Sequence, residues 1–190
     1  LPENFDYIIV ENTCNGSVKN EELKGILDNN HLFISENAGA ANKGLGELDM
    51  LIKAIGSLWS TKTMFDTKTG VSESFDIEKK YDKICYLTAR RIITCPYIFE
   101  RTTALEADAL ISNPDFLYLY GNRLVESCKE NMYNDMFFAM RTKCMLDYTE
   151  YTMKNFNRIV GSEQNLYNFI TDNKIEYEWL SHLGIIRCDW

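Results

Sequence analysis

Apolar positions along the chain come in short bursts and in helical stripes. Tyr7-Ile-Ile-Val10 is a β-branched and aromatic run that stops at the turn formers Glu-Asn-Thr-Cys-Asn-Gly16, which predicts a buried strand ending in a loop. Leu23, Ile26 and Leu27 have the spacing of a short helix over 19–27, and His31-Leu-Phe-Ile-Ser35 reads as a second strand. After a loop over 36–46, Leu48, Leu51, Ile52, Ile55 and Leu58 form one stripe, predicting a helix from Glu47 to Trp59. Strand, helix, strand and helix in alternation imply parallel pairing.

Ser60 to Tyr81 is rich in Thr, Lys, Ser and Asp with weak periodicity, the pattern of a surface loop with at most a broken helix. Lys83-Ile-Cys-Tyr-Leu87 reads as a central strand delivering Thr88-Ala-Arg-Arg91 at its carboxyl end, and Ile92-Ile-Thr94 continues it or begins another. Phe116-Leu-Tyr-Leu119 predicts a further strand. The segments 134–156 and 162–170 predict helices, the second with Ser162 as N-cap and Glu163 favourably placed in its first turn. The pattern gives an α/β fold whose mixed sheet is mostly parallel and flanked by helices. No repeat or low-complexity tract is present.

The 190 residues, 45% of them apolar and 25% charged, suit one domain over 1–190, or at most two very small ones, with a real core. Twenty Lys and Arg against 28 Asp and Glu give a net charge of −8, which repels the nucleic-acid backbone and anionic membrane surfaces, so any phosphate site has to be local. No run of about 18 apolar residues exists to span a bilayer. The chain begins at Leu1 and enters an apolar run almost at once, as a fragment would. Cys14, Cys85, Cys95, Cys128, Cys144 and Cys188 are scattered without a C-x-x-C pair, and His31 and His182 stand far apart. That spacing speaks against structural zinc and for buried, reduced thiols in a cytoplasmic protein. The aromatics, 11 Tyr and 10 Phe, suit a core whose tyrosines keep one end wet, and Met132, Met136, Met140, Met145 and Met153 are core and gap filler.

Three places could carry chemistry. In the loop Asn37-Ala-Gly-Ala-Ala-Asn-Lys-Gly-Leu-Gly46, backbone N–H groups and Lys43 could hold an anion at a helix start, although Glu47 in the first turn competes; glycines that only allow tight turns are an equal reading. Arg90 and Arg91 end a strand, and a guanidinium fork suits a diphosphate. Adjacent strand residues point to opposite faces, so one of the two, Arg90, is the choice; a plain salt bridge is the commoner fate of such an arginine. In Asn134-Asp-Met-Phe-Phe138 the carboxylate precedes an apolar run at an expected helix start. Asp135 there is either a cap or a general base facing a crevice. No G-x-S-x-G elbow or H-E-x-x-H pair occurs.

Taken in order, these segments resemble the GT-A type of nucleotide-sugar glycosyltransferase, especially the bacterial enzymes that build surface polysaccharides. Tyr7 to Gly16 is similar to a strand and loop of that fold in which an acidic residue, here Glu11, contacts the nucleotide base. Phe33 to Gly44 is similar to its Asn- and Gly-containing segment before a helix. Lys83 to Arg91 is similar to a strand that reads K-I-S-G-R-Y in some members, and Tyr133-Asn-Asp-Met-Phe-Phe138 to an N-D-x-F-F stretch near the acceptor. Ser162-Glu-Gln-Asn-Leu-Tyr167 and Leu183-Gly-Ile-Ile-Arg187 resemble its closing helix and strand. The resemblance covers most of the chain through short motifs.

It implies transfer of a sugar from a nucleotide-sugar donor to a glycan acceptor. Asp135 would act as base, Arg90 would offset diphosphate charge, and Asn134 would lie on the acceptor side. Glu11 and Asn12 would face the nucleoside, with Asn37, Asn42 and Lys43 near the donor. The D-x-D pair that holds a divalent metal in many members has no match after Leu87; either Arg90 serves in its place or donor binding is lost, and Mn²⁺ or Mg²⁺ stays an open cofactor. The family's first strand would precede Tyr7, where six residues stand. Two rivals follow: an inactive sugar-, nucleotide- or protein-binding module on the same fold, and an unrelated α/β interaction domain.

Overall fold

The computed structural model describes residues 4–11, 31–33, 42–60, 64–65, 72–73, 76–88, 91–93, 95–112, 117–120, 123–126, 131–181 and 185–187. The chain divides into two compact units, Leu1–Lys80 and Tyr81–Trp190. Among the described residues no helix is long and apolar enough to cross a membrane.

In the first unit, β1 (Ile9–Glu11) pairs in parallel with β2 (His31–Phe33), Ile9 opposite His31, as the alternation of elements predicts. Helix α1 (Lys43–Ser60) packs against β1 through a stripe in which Leu48, Leu51, Ala54 and Ile55 are buried. It starts four residues before the expected Glu47, because Asn42 begins it: its Oδ1 accepts the Leu45 N–H at 3.2 Å and its carbonyl the Gly46 N–H at 3.1 Å. Where a surface loop with at most a broken helix is expected from Ser60 to Tyr81, the single turn α2 (Ile77–Lys80) is found, preceded by a short antiparallel pair that was not expected, β3 (Met64–Phe65) and β4 (Ser72–Glu73). The expected helix over 19–27 lies outside the described residues.

The second unit is built on a four-stranded sheet in the order β11 (Tyr177–Leu180), β7 (Ala109–Ser112), β10 (Asn134–Arg141), β5 (Lys83–Leu87). β10 runs antiparallel to both neighbours and β11 parallel to β7, so the sheet is mixed but mostly antiparallel, not mostly parallel as the sequence suggests. β5, β7 and β11 share one direction, with β10 reversed among them. β5, expected at the centre, closes one side of the described sheet and is half-buried along its length. Antiparallel pairs β6 (Arg91–Ile93) with β12 (Ile185–Arg187), and β8 (Leu117–Tyr120) with β9 (Arg123–Glu126), complete the described strands; β8 matches the strand expected at Phe116–Leu119.

The main correction concerns 134–156. Asn134 to Arg141 is a strand, and the helix α4 (Thr142–Asn155) starts only where that apolar run ends. Asp135 therefore lies in a strand and not at a helix start. Thr142 is tied down by donating its N–H to the Asp82 carbonyl at 2.9 Å and its hydroxyl to that of Tyr81. Helix α5 (Ser162–Asp172) follows, capped by Gly161 and not by Ser162, whose hydroxyl donates to the Glu163 carboxylate at 3.4 Å. Both helices pack on β10 and on each other. Phe138 meets Tyr86 at 5.1 Å and, edge on, Tyr148 of α4 at 5.7 Å, and Tyr148 meets Phe169 of α5 at 5.1 Å. Met140 and Met145 are fully buried, whereas Met153, expected in the core, is 59% exposed. The remaining helix, α3 (Tyr97–Ala104), anchors on Glu178 of β11 through Arg101. Glu178 alternates with Tyr177 and Trp179, which join Tyr133 and, through it, Tyr167 of α5, so helices flank both faces.

Candidate functional site

The carboxyl ends of β5 and β7 and the start of β10 meet at one rim of the sheet, the end at which ligands gather in open sheets with crossing helices. There β10 leaves the ladder. Ser112 and Ile111 are neighbours on β7, yet their partners Asn134 and Phe138 are four residues apart, so Asp135, Met136 and Phe137 form a wide bulge. The excursion is satisfied from both sides. Ser112 Oγ donates to the Phe137 carbonyl at 3.0 Å, and Thr88 N–H to the Met136 carbonyl at 3.0 Å. Asn134 Oδ1 folds back to accept the Met136 N–H at 2.9 Å. That last contact fixes the turn and leaves Asn134 Nδ2, in a residue only 2% exposed, without a hydrogen-bond partner.

Asp135 is 8% exposed at the tip of the bulge. Its charge reaches Tyr148, the centre of a polar island in the helical layer. Asn165 Nδ2 donates to the Tyr148 hydroxyl at 3.2 Å and to Thr152 Oγ at 2.9 Å, and Thr152 Oγ donates to the Tyr148 carbonyl at 2.8 Å. Complete burial keeps the Tyr148 hydroxyl protonated far above its ordinary range, the Asn165 contact works against that rise, and the Asp135 carboxylate adds to it. Chemically, the rim presents a carboxylate that can accept a proton from a hydroxyl, an amide with a spare donor, and a neutral phenol behind them.

Of the residues singled out from sequence, Asp135 thus opens the bulge and Asn134 is the paired residue just before it, near Thr88, which stands two residues before Arg90. Arg90, Asn12 and Asn37 lie outside the described residues, and Glu11 is described by its backbone in β1. In the first unit, Asn42 caps α1, and the exposed Lys43 lies 3.4 Å from the half-buried Glu47 one helical turn along, so Glu47 faces Lys43 and does not sit in the first turn. Among the described residues no three His, Cys, Asp or Glu side chains are grouped to hold a metal ion. Cys85, Cys95 and Cys144 are free thiols, with burial pushing Cys85 up to about 11 and Cys144 up to about 12. Sequence reasoning missed Ser112 and the Tyr148, Thr152 and Asn165 island. The apolar run Ala109-Leu-Ile before Ser-Asn-Pro was the available sign of β7 and its end. The island left no sign, since its members lie on two helices. The sequence matches no protein-family model and no curated protein.

Proposed function

We propose that the chain is a glycosyltransferase of the GT-A plan, acting in surface polysaccharide synthesis and moving a sugar from a nucleotide-sugar donor to a hydroxyl of a glycan acceptor. The observation that carries the reading is the wide bulge, which sets the Asp135 carboxylate beside Asn134 at the rim where β5 and β7 end. A bulge that interrupts one ladder while its backbone groups find new partners re-aims side chains at a functional rim. Asp135 takes the proton of the acceptor hydroxyl as that oxygen bonds to the anomeric carbon. The bond from that carbon to the diphosphate breaks, and the diphosphate leaves with the electron pair. Arg90 offsets the charge it gathers.

The roles of Glu11, Asn12, Asn37, Asn42 and Lys43 toward the donor, and a cytoplasmic location, belong to the same reading and rest on the sequence resemblance. A binding module without turnover is the second reading, favoured by the missing D-x-D pair and the shallow exposure of Asp135. The two separate in one set of measurements with nucleotide-sugar donors, with and without Mn²⁺. Asp135→Asn is expected to lower turnover by about 10²–10⁴-fold while the donor still raises the melting temperature. Full turnover in that variant overturns the assignment of the base; a donor-induced shift without turnover in the unaltered chain favours the module.

A further inference from the structure

Two large aromatic side chains of β11, on the face that carries α5, stay partly exposed beside a strand, β7, that is buried throughout. Tyr177 is 36% exposed and Trp179 40%. Their rings stand 4.9 Å apart at 74°, edge to face, and together make a corner of partly exposed ring surface. Tyr133, itself 7% exposed, forms its base, with ring centroids 5.6 Å from Trp179 and 6.0 Å from Tyr177. The corner is continuous with the bulge, because Tyr133 directly precedes Asn134 and Asp135. Trp179 is the ring nearer that rim: its neighbour Leu180 is opposite Ser112 and Ser112 is opposite Asn134, whereas Tyr177 is opposite Ala109, toward the other end of the sheet. Two strand spacings, about 10 Å, separate β11 from β10, the reach of a short oligosaccharide.

A corner of rings with polar tips suits a ligand with flat C–H faces and a hydroxyl rim, which is the surface of a pyranose. Charge narrows the class. The chain carries a net charge of −8, which opposes an anionic ligand. We infer that Tyr177 and Trp179, seated on Tyr133, form an acceptor subsite that stacks a ring of an uncharged oligosaccharide and delivers its end to Asp135. The acceptor role rests on the transferase reading; the stacking is measured apart from it.

The test is calorimetric titration of the full chain with maltohexaose, cellohexaose and laminarihexaose, and with an oligogalacturonate as the anionic counterpart. At least one neutral oligomer is expected to bind, Tyr177→Ala and Trp179→Ala each to weaken it about tenfold, and Trp179→Phe to weaken it less. Met153→Ala, on the exposed face of α4, should leave binding unchanged. Absence of neutral binding, equal binding of the oligogalacturonate, or binding indifferent to both alanine variants overturns the subsite. Glycan binding at this corner in a chain that turns over no donor keeps the subsite and overturns the transferase. Transfer whose acceptor kcat/KM is unmoved by Trp179→Ala does the reverse.

Discussion

At the scale of single residues, the end of the sheet away from the bulge is organised by two charged side chains that grip one turn. Glu178 accepts the N–H groups of Glu106 and Ala107 at 2.9 and 3.2 Å and the Arg101 guanidinium at 2.6 Å. Arg141 donates to the carbonyls of the same two residues, at 2.6 Å to Glu106 and 3.2 Å to Ala107. The Glu106 and Ala107 amides, with Arg101 beside them, hold the Glu178 carboxyl below its ordinary 4.5. A carboxylate whose proton affinity falls on folding stabilises the fold above its unfolded value and loses that contribution as pH drops through the folded one. Because the group is partly exposed, Glu178→Gln is expected to cost only about 1 kcal/mol at neutral pH. In thermal melts across pH, the gap between the two proteins should close below about 4.5; a gap that persists in acid would assign the effect to shape and not to charge.

At the scale of elements, β10 shows what the sequence could convey and what it could not. Met-Phe-Phe-Ala-Met is apolar on every residue, and such a run carries neither period, so a strand buried on both faces and the first turns of a buried helix look alike. Helices α1 and α5 and strands β1, β2, β5 and β8 were legible because their apolar residues repeat or cluster between turn formers. The pairing of β10 was not, since strand direction is fixed by which edges meet in space. For the site, the pair Asn134 and Asp135 was legible as chemistry and misplaced as structure, while its supports, Ser112, Thr88 and Tyr148, come from distant positions. The buried strand also yields a prediction. Phe138→Ala removes the ring between Tyr86 and Tyr148 and should cost about 3–5 kcal/mol in urea unfolding, a large part of a domain's usual margin, whereas Met153→Ala on the exposed face of α4 should cost little. Equal effects would contradict the placement of these two side chains.

At the scale of the whole molecule, the net charge of −8 is a property of the field and not of the fold. It predicts no retardation of duplex DNA by this chain in a native gel at low ionic strength, and a shifted band would reveal a basic surface strong enough to override the total. The alternation of early elements correctly gave parallel pairing for β1 with β2, and failed for the larger sheet because a reversed strand was inserted among three that agree. That reversed strand has one more implication. Met136 and Phe137 stay tied to Thr88 and Leu87, but Asp135 stands outside the pairing with either neighbouring strand, so the backbone carries slack at that one residue. A residue gained or lost at the tip can be taken up there without turning Phe138 and everything after it inside out, so related chains are free to alter the length and chemistry of this rim while the layers beneath keep their alignment.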